Sequence, residues 1–328
     1  MSTNSLLQLQ KYTTLVVDSS DLQAIARFRP LDATTNPSLI TAAASQSENI
    51  ALLEDALQQA RAENYQADAL VERVIDILTV RFGVEILKLI QGRVSTEVDA
   101  SLSYDTEATI EKALQLIELY KQFGIDQSRV LIKIAATWQG IQAARFLEQQ
   151  GIQCNLTLVF NLTQAQACAD AGVYLISPFV GRILDWYKKA EQKDSYVIEQ
   201  DPGVLSVKRI YQYYKQNDIQ TKVMGASFRS SAQILALAGC DLLTIAPNLV
   251  AELEQSQAPV SCQLNAEDAK TQAKIQRPVL NQQIFEQEVQ DDLMAAQLLQ
   301  GGIDGFIKAR EQLAQLLHQS FGLADIAP

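Results

Sequence analysis

Hydrophobic and polar positions along this chain follow two periods that take turns. Short runs rich in β-branched residues alternate with a period of two and read as strands. They are TTLVVD (13–18), DATT (32–35), GRVSTEVD (92–99), RVLIKIA (129–135), QCNLTLVF (153–160), VYLISPFV (173–180), KVMGASF (222–228) and LLTIAP (242–247). Longer amphipathic stretches separate them, several closed by glycine. In DTEATIEKALQLIELYKQFG, Asp105 and Thr106 supply a capping start. Ile110, Ala113, Leu114, Ile117 and Tyr120 then recur at helical spacing, and Gly124 ends the run. Thr137 to Gly151 repeats that design. The turns DAGVYLIS (170–177) and LAGCDLLTIA (237–246) echo each other, each ending a helix at a glycine suited to a left-handed cap. Strands separated by helices predict an α/β protein with a parallel sheet, and eight such units predict a closed (β/α)8 TIM barrel.

The pattern shows no linker or change of composition before about residue 250, so residues 1–328 read as one barrel domain. Two connections are long. Residues 37–91 have room for two or more helices. Residues 252–328 read as a C-terminal helical extension, with Gly301 and Gly302 as a break between NQQIFEQEVQDDLMAAQLL and IDGFIKAREQLAQLL. Such an extension could cap the barrel or form a subunit contact.

Composition narrows the chemistry. The 328 residues are 48% hydrophobic and carry a net charge of −11, which argues against nucleic acid as a partner. An anionic ligand would need a local cluster of arginines. Cys154, Cys168, Cys240 and Cys262 are widely spaced, and neither a signal peptide nor an apolar run of membrane-spanning length is evident. Reduced thiols in a cytoplasmic protein, away from membranes, are expected. His318 is the single histidine and is expected on the surface of a terminal helix. A Ser-His-Asp triad, a Cys-His dyad and a multi-histidine metal site are therefore disfavoured, and acid–base work falls to carboxylates, Lys, Tyr or water.

Strand alternation sorts the candidates. In 130–136, Lys133 shares a face with Leu131 and Ala135, opposite Val130, Ile132 and Ile134. Asn155 and Thr157 oppose Cys154, Leu156, Leu158 and Phe160. Ser177 and Phe179 oppose Tyr174, Ile176, Pro178 and Val180, and Ser95, Glu97 and Asp99 oppose Val94, Thr96 and Val98. If the apolar faces pack against helices, then Lys133, Asn155, Thr157, Ser177 and Glu97 converge inside the barrel. Asp18, Asn36 and Ser227/Arg229 join them near strand ends, where this fold carries its catalytic groups. A buried ammonium must reach solvent, be held by a partner, or lose its proton. A neutral amine near a carboxylate, among amides and hydroxyls, suits Schiff-base chemistry on a ketone.

DATTNPSLI (32–40) and LIKIAATWQGIQAARFL (131–147) resemble the two signatures of the transaldolase family. GRVSTEVDASLSYDTEATI, CNLTLVF, LISPFVGRILDWYK, VMGASFR and GCDLLTIAP match it in order and spacing. The resemblance implies a pentose phosphate pathway transferase that moves dihydroxyacetone from sedoheptulose 7-phosphate to glyceraldehyde 3-phosphate. The products are erythrose 4-phosphate and fructose 6-phosphate. It implies Lys133 as the Schiff-base nucleophile, Asp18 as the acid/base at the C4 hydroxyl, and Glu97 acting through a water with Thr157. Asn36 and Asn155 are implied as ligands of substrate hydroxyls, and Arg182, Arg229 and Ser177 as ligands of the phosphate. No metal or organic cofactor is implied, and a homodimer is.

Two alternatives stay open. Fructose-6-phosphate aldolases share the fold and the lysine but release dihydroxyacetone. They are generally shorter and carry Tyr where this chain has Phe179. A catalytically inert sugar-phosphate-binding barrel would be marked by loss of Lys133, Asp18 or Glu97, and all three are present.

Overall fold

The computed structural model describes residues 4–277 and 279–322; the last six residues of the expected extension lie outside them. All eight expected strands form: β1 (Thr14–Asp18), β2 (Asp32–Thr34), β3 (Val94–Glu97), β4 (Val130–Ala135), β5 (Cys154–Val159), β6 (Leu175–Pro178), β7 (Lys222–Gly225) and β8 (Leu242–Ile245). Each pairs in parallel with the next, and β8 pairs with β1, which closes the barrel in sequence order. A parallel neighbour requires a crossover between strands, and helices supply it.

Alternation sets the two sides of the wall. Val94, Ile132, Ile134, Leu156, Ile176 and Ile245 face outward and are buried in the layer shared with the helices. Thr96 lies on that face too, and its hydroxyl is hydrogen-bonded at 2.6 Å to Tyr120 of the helix Thr106–Gln122. Inside the barrel, Val16, Leu131, Leu175, Met224 and Leu242 form a separate apolar cluster that fills the floor. One alternation further along the same strands, about 7 Å toward their C-terminal ends, stand Asp18, Lys133, Ser177 and Thr244.

The helix boundaries follow the expected caps. Asp105 accepts from the Ala108 N–H and Thr137 from that of Gly140. Three helices fill the long β2–β3 connection: Pro37–Ala44, Ile50–Ala62 and Ala67–Leu89. Gly172 caps the helix Leu162–Ala171 as expected, whereas the helix Ser231–Leu235 has already ended at Ala236, before Gly239.

Other expectations need correction. The final break falls at Asp292, whose side chain caps the helix Leu293–Phe321 by accepting from Ala295, and that helix runs unbroken through Gly301 and Gly302. Gly302 serves close approach: a Cβ there would lie 2.6 Å from Leu158 Cδ2. Tyr174 does not pack with the outward face of β6. It precedes the strand, and its hydroxyl accepts from Arg93 at 2.6 Å beside the floor cluster. The alternation of β5 fails at Leu158, which has φ 56°. A bulge there shifts the β5–β6 register from Leu156↔Ile176 to Val159↔Pro178, as bulges at barrel rims do.

The last helix lies across the C-terminal mouth. Its Ala309 carbonyl accepts from Thr41 Oγ1 at 2.8 Å. Its Arg310 pairs with Asp99 at 2.9 Å, with Asp76 at 3.4 Å and with Glu72. His318, near its end, is half-buried rather than on the surface.

Candidate active site

Strand register brings the central residues together. Glu97 on β3 is the neighbour of Lys133 on β4, which in turn neighbours Asn155 on β5. Their inward side chains therefore form one row. Lys133 is 5% exposed, and the structure answers how its ammonium is held. Its Nζ lies 2.9 Å from Glu97 Oε2 and donates to the Thr35 carbonyl at 3.0 Å. The Phe306 ring centroid is 5.8 Å from Nζ. Burial raises the Glu97 pKa above its ordinary value of 4.5, against the opposing pull of Lys133. At that separation the opposite charge of Lys133 is the largest influence favouring the ionised carboxylate.

A cavity of ≈180 Å³ opens above Lys133. Eight of the ten expected site residues line it: Asp18, Asn36, Lys133, Thr157, Ser177, Phe179, Arg182 and Arg229. Glu97 and Asn155 sit behind the lining and reach it through partners. Asn155 is fully buried; its Nδ2 donates to Ser95 Oγ at 3.1 Å and its Oδ1 accepts from Ser177 Oγ at 2.6 Å. Asn155 therefore orients Ser177 rather than facing the cavity itself. Asn36 uses Oδ1 to cap the helix Pro37–Ala44, so Nδ2, a donor, is the group it can offer a ligand. Thr157 Oγ1 is buried with no hydrogen-bond partner, which makes it available to a bound hydroxyl or water.

The carboxylate and the arginines occupy different walls. Asp18 Oδ1 accepts from Thr34 Oγ1 at 2.7 Å. Thr34 and Thr244 hydroxyls are 2.7 Å apart. A carboxylate only accepts, so Thr34 directs its proton to Asp18 and Thr244 donates to Thr34. Arg182 packs against the rings of Phe179, at 4.9 Å, and Phe306, at 5.7 Å. Burial lowers its pKa, and the like charge of Arg229 lowers it further. Arg229 is paired with Asp185 at 2.8 Å. Two guanidinium groups on one cavity repel each other, and an anion bound there would offset that cost.

Sequence reasoning passed over Thr34, Thr244 and Phe306, all of which line the cavity. A threonine in the apolar run LLTIAP, and Thr34 one alternation beyond Asp32, carried a signal for the first two. Phe306 carried none, because its place depends on the path of the last helix across the mouth. Among the described residues, no group of three or more His, Cys, Asp or Glu could hold a metal, and no helix is long and apolar enough to cross a membrane.

Fold and cavity together define a class: a (β/α)8 barrel with a lysine amine buried beside a carboxylate and two arginines at its C-terminal mouth. The transaldolase/fructose-6-phosphate aldolase family model matches residues 15–317, and the chain belongs to that family. It is 52% identical over 320 residues to the transaldolase of Methylococcus capsulatus, covering 97% of each chain. The transaldolase of Acidobacterium capsulatum is 53% identical over 320 residues, covering 97% of this chain and 96% of that one. The transaldolase of Gloeobacter violaceus is 53% identical over 319 residues, covering 96% of this chain and 82% of that one.

Proposed function

We propose that this protein is a transaldolase that transfers dihydroxyacetone from sedoheptulose 7-phosphate to glyceraldehyde 3-phosphate through a Schiff base on Lys133. The observation that carries the reading is the buried Lys133–Glu97 pair, at 2.9 Å, facing a cavity that also holds Arg182 and Arg229. Burial raises the proton affinity of Glu97, so this carboxylate is a ready acceptor for the lysine proton. The freed amine attacks the ketone carbon. The carbinolamine then loses water, with Glu97 and Thr157 handling the proton transfers, and an iminium forms. Asp18 takes the proton of the C4 hydroxyl, the C3–C4 pair passes into the iminium as an enamine, and the shortened aldehyde phosphate leaves. The enamine carbon adds to the acceptor aldehyde, Asp18 returns its proton to the new alkoxide, and hydrolysis frees Lys133.

The remaining side chains fit this course. Arg182 and Arg229 supply charge-assisted bonds to the phosphate, with Ser177 beside them. Asn36 reaches a sugar hydroxyl, while Asn155 acts through Ser177. Phe179 and Phe306 form an apolar wall around the enamine, whose carbon must be kept from protons until the acceptor arrives. That wall favours transfer over the release reaction of fructose-6-phosphate aldolases. We read the barrel and its C-terminal helices as one domain, working in the cytoplasm as a homodimer on sugar phosphates, with no metal or organic cofactor.

The test is to incubate the protein with fructose 6-phosphate, reduce with borohydride, and map the modified peptide by mass spectrometry. A reduced adduct on Lys133, discharged by an added aldehyde acceptor before reduction, is expected. Folded protein with an unmodified Lys133 would return the inert barrel as the better reading.

A further inference from the structure

Arg229 enters the cavity from the short loop after β7, and two buried side chains that the chemistry above does not use hold that loop from behind. Gln233 is 1% exposed and Asp201 3%. Gln233 Oε1 accepts from the Arg229 backbone N–H at 2.8 Å, and Gln233 Nε2 donates to Asp201 Oδ2 at 2.8 Å. Asp201 Oδ1 accepts from the N–H groups of Gly203 and Val204, at 2.9 and 3.1 Å, where the helix Pro202–Gln216 begins. The relay has a fixed polarity. A carboxylate only accepts, so Gln233 must turn its amino group to Asp201 and its carbonyl to Arg229.

The same loop is pinned from the β6 side. Gly181 N–H donates to the Ser227 carbonyl at 2.7 Å. A Cβ on Gly181 would lie 2.3 Å from that oxygen and 2.7 Å from Arg229 Cγ, so only glycine permits the approach. Ser227 itself has φ 60°, a conformation that persists where surrounding contacts over-determine it. By contrast, the Arg229 side chain is tied on its outer side to Asp185, which is 51% exposed. Its place is therefore set through the backbone and not by its ion pair.

We infer that Asp201 and Gln233 are positioning residues for anion recognition, presetting Arg229 for the substrate phosphate; this rests on the reading of a sugar phosphate as donor. The polarity of the relay supplies the test. In Asp201→Asn, the retained carbonyl can still cap the helix, but the new amide donates. Gln233 must flip to accept it and then turns its own amide against the Arg229 N–H. In Gln233→Glu, a second carboxylate meets Asp201. In the double variant Asp201→Asn/Gln233→Glu, the new amide donates to one glutamate oxygen while the other accepts from Arg229, so the relay is whole again.

The measurement is the concentration dependence of borohydride trapping on Lys133, with fructose 6-phosphate and with phosphate-free dihydroxyacetone. Each single variant should raise the half-saturating concentration of fructose 6-phosphate roughly tenfold, with the saturating rate kept. The double should return toward wild type, and dihydroxyacetone trapping should not change in any variant. Gln233→Met, which removes both bonds at similar volume, serves wherever a charged single fails to fold, with the same expected split. A double variant no better than its singles, or dihydroxyacetone trapping that falls in step, would overturn the assignment. Failure of the underlying reading shows separately, as wild-type protein that takes fructose 6-phosphate no better than fructose.

Discussion

The two ends of the barrel interior are built from the same strands, yet they differ in almost every physical respect. At the floor, Val16, Leu131, Leu175, Met224 and Leu242 form an apolar cluster with Tyr174 packed against it. At the mouth, residues on the same inward faces are Asp18, Lys133, Ser177 and Thr244, each held by a polar partner or a charge. The mouth also holds Leu158 and Ser227, two of the six non-glycine residues at positive φ among the described residues. The floor contributes burial, about 1.5–3 kcal/mol for a leucine of this size. The mouth spends part of that stability on buried ionic and amide groups, which are rarely worth keeping for stability alone. One step of strand alternation thus separates scaffold from chemistry.

Leu131 and Lys133 give the sharpest way to break that comparison. Lys133→Met should lower turnover on the order of 10⁴-fold or more. Leu131→Ala should leave the turnover of folded protein within a few-fold of wild type while costing about 2–5 kcal/mol of stability. Turnover and urea unfolding midpoints, measured on both variants, separate the roles. Comparable loss of turnover in the folded Leu131 variant would mean that the floor takes part in positioning the site.

The same alternation explains how much of this was legible in the sequence. Every strand and the inward set around Lys133 could be read from a period of two, because a closed barrel turns one face of each strand to the helices and the other to the interior. Reading failed where the period failed. The Leu158 bulge, the early end of β6 and the place of Tyr174 depend on neighbouring strands, which local pattern does not encode. Gly301 and Gly302 looked like a break because glycine weakens helices. Gly302 instead meets Leu158 across the mouth. Asn155 was correctly turned inward, but its distance from the cavity follows from Ser177 standing in front of it. Phe306 and Gln233 reach the site through tertiary packing alone.

Glu97 sharpens the comparison through pH. Burial raises its pKa above 4.5, with Lys133 opposing. If Glu97 acts as an ionised base, imine formation is lost as pH falls through that raised value, so the acid limb lies above the range of an exposed glutamate. Glu97→Gln should remove that limb and slow imine formation about 10²-fold. Stability has the opposite sign. A raised carboxylate binds its proton more tightly in the fold, so wild type loses stability relative to the variant as pH rises from the unfolded value through the folded one. The contribution is absent below that window. Single-turnover trapping and chemical unfolding at several pH values read the two effects. An acid limb unchanged in the variant would assign the base to another group.

The smallest expected effect concerns the apolar part of the mouth. Phe179 lies 5.4 Å from Phe160 in an edge-on contact and beneath Arg182 at 4.9 Å, so the position is packed much like the floor although it lines the cavity. If that wall keeps protons from the enamine, then Phe179→Tyr places an acidic hydroxyl beside a carbon that must wait for an aldehyde. Protonation there followed by imine hydrolysis releases dihydroxyacetone. The ratio of release to transfer should rise, by roughly tenfold at limiting acceptor, with the unfolding midpoint nearly unchanged. Product analysis with fructose 6-phosphate as donor and a titrated acceptor measures that ratio directly. A constant ratio would reduce Phe179 to a packing residue like those of the floor, and the choice between transfer and release would then rest on Phe306 and on how tightly the last helix closes the mouth.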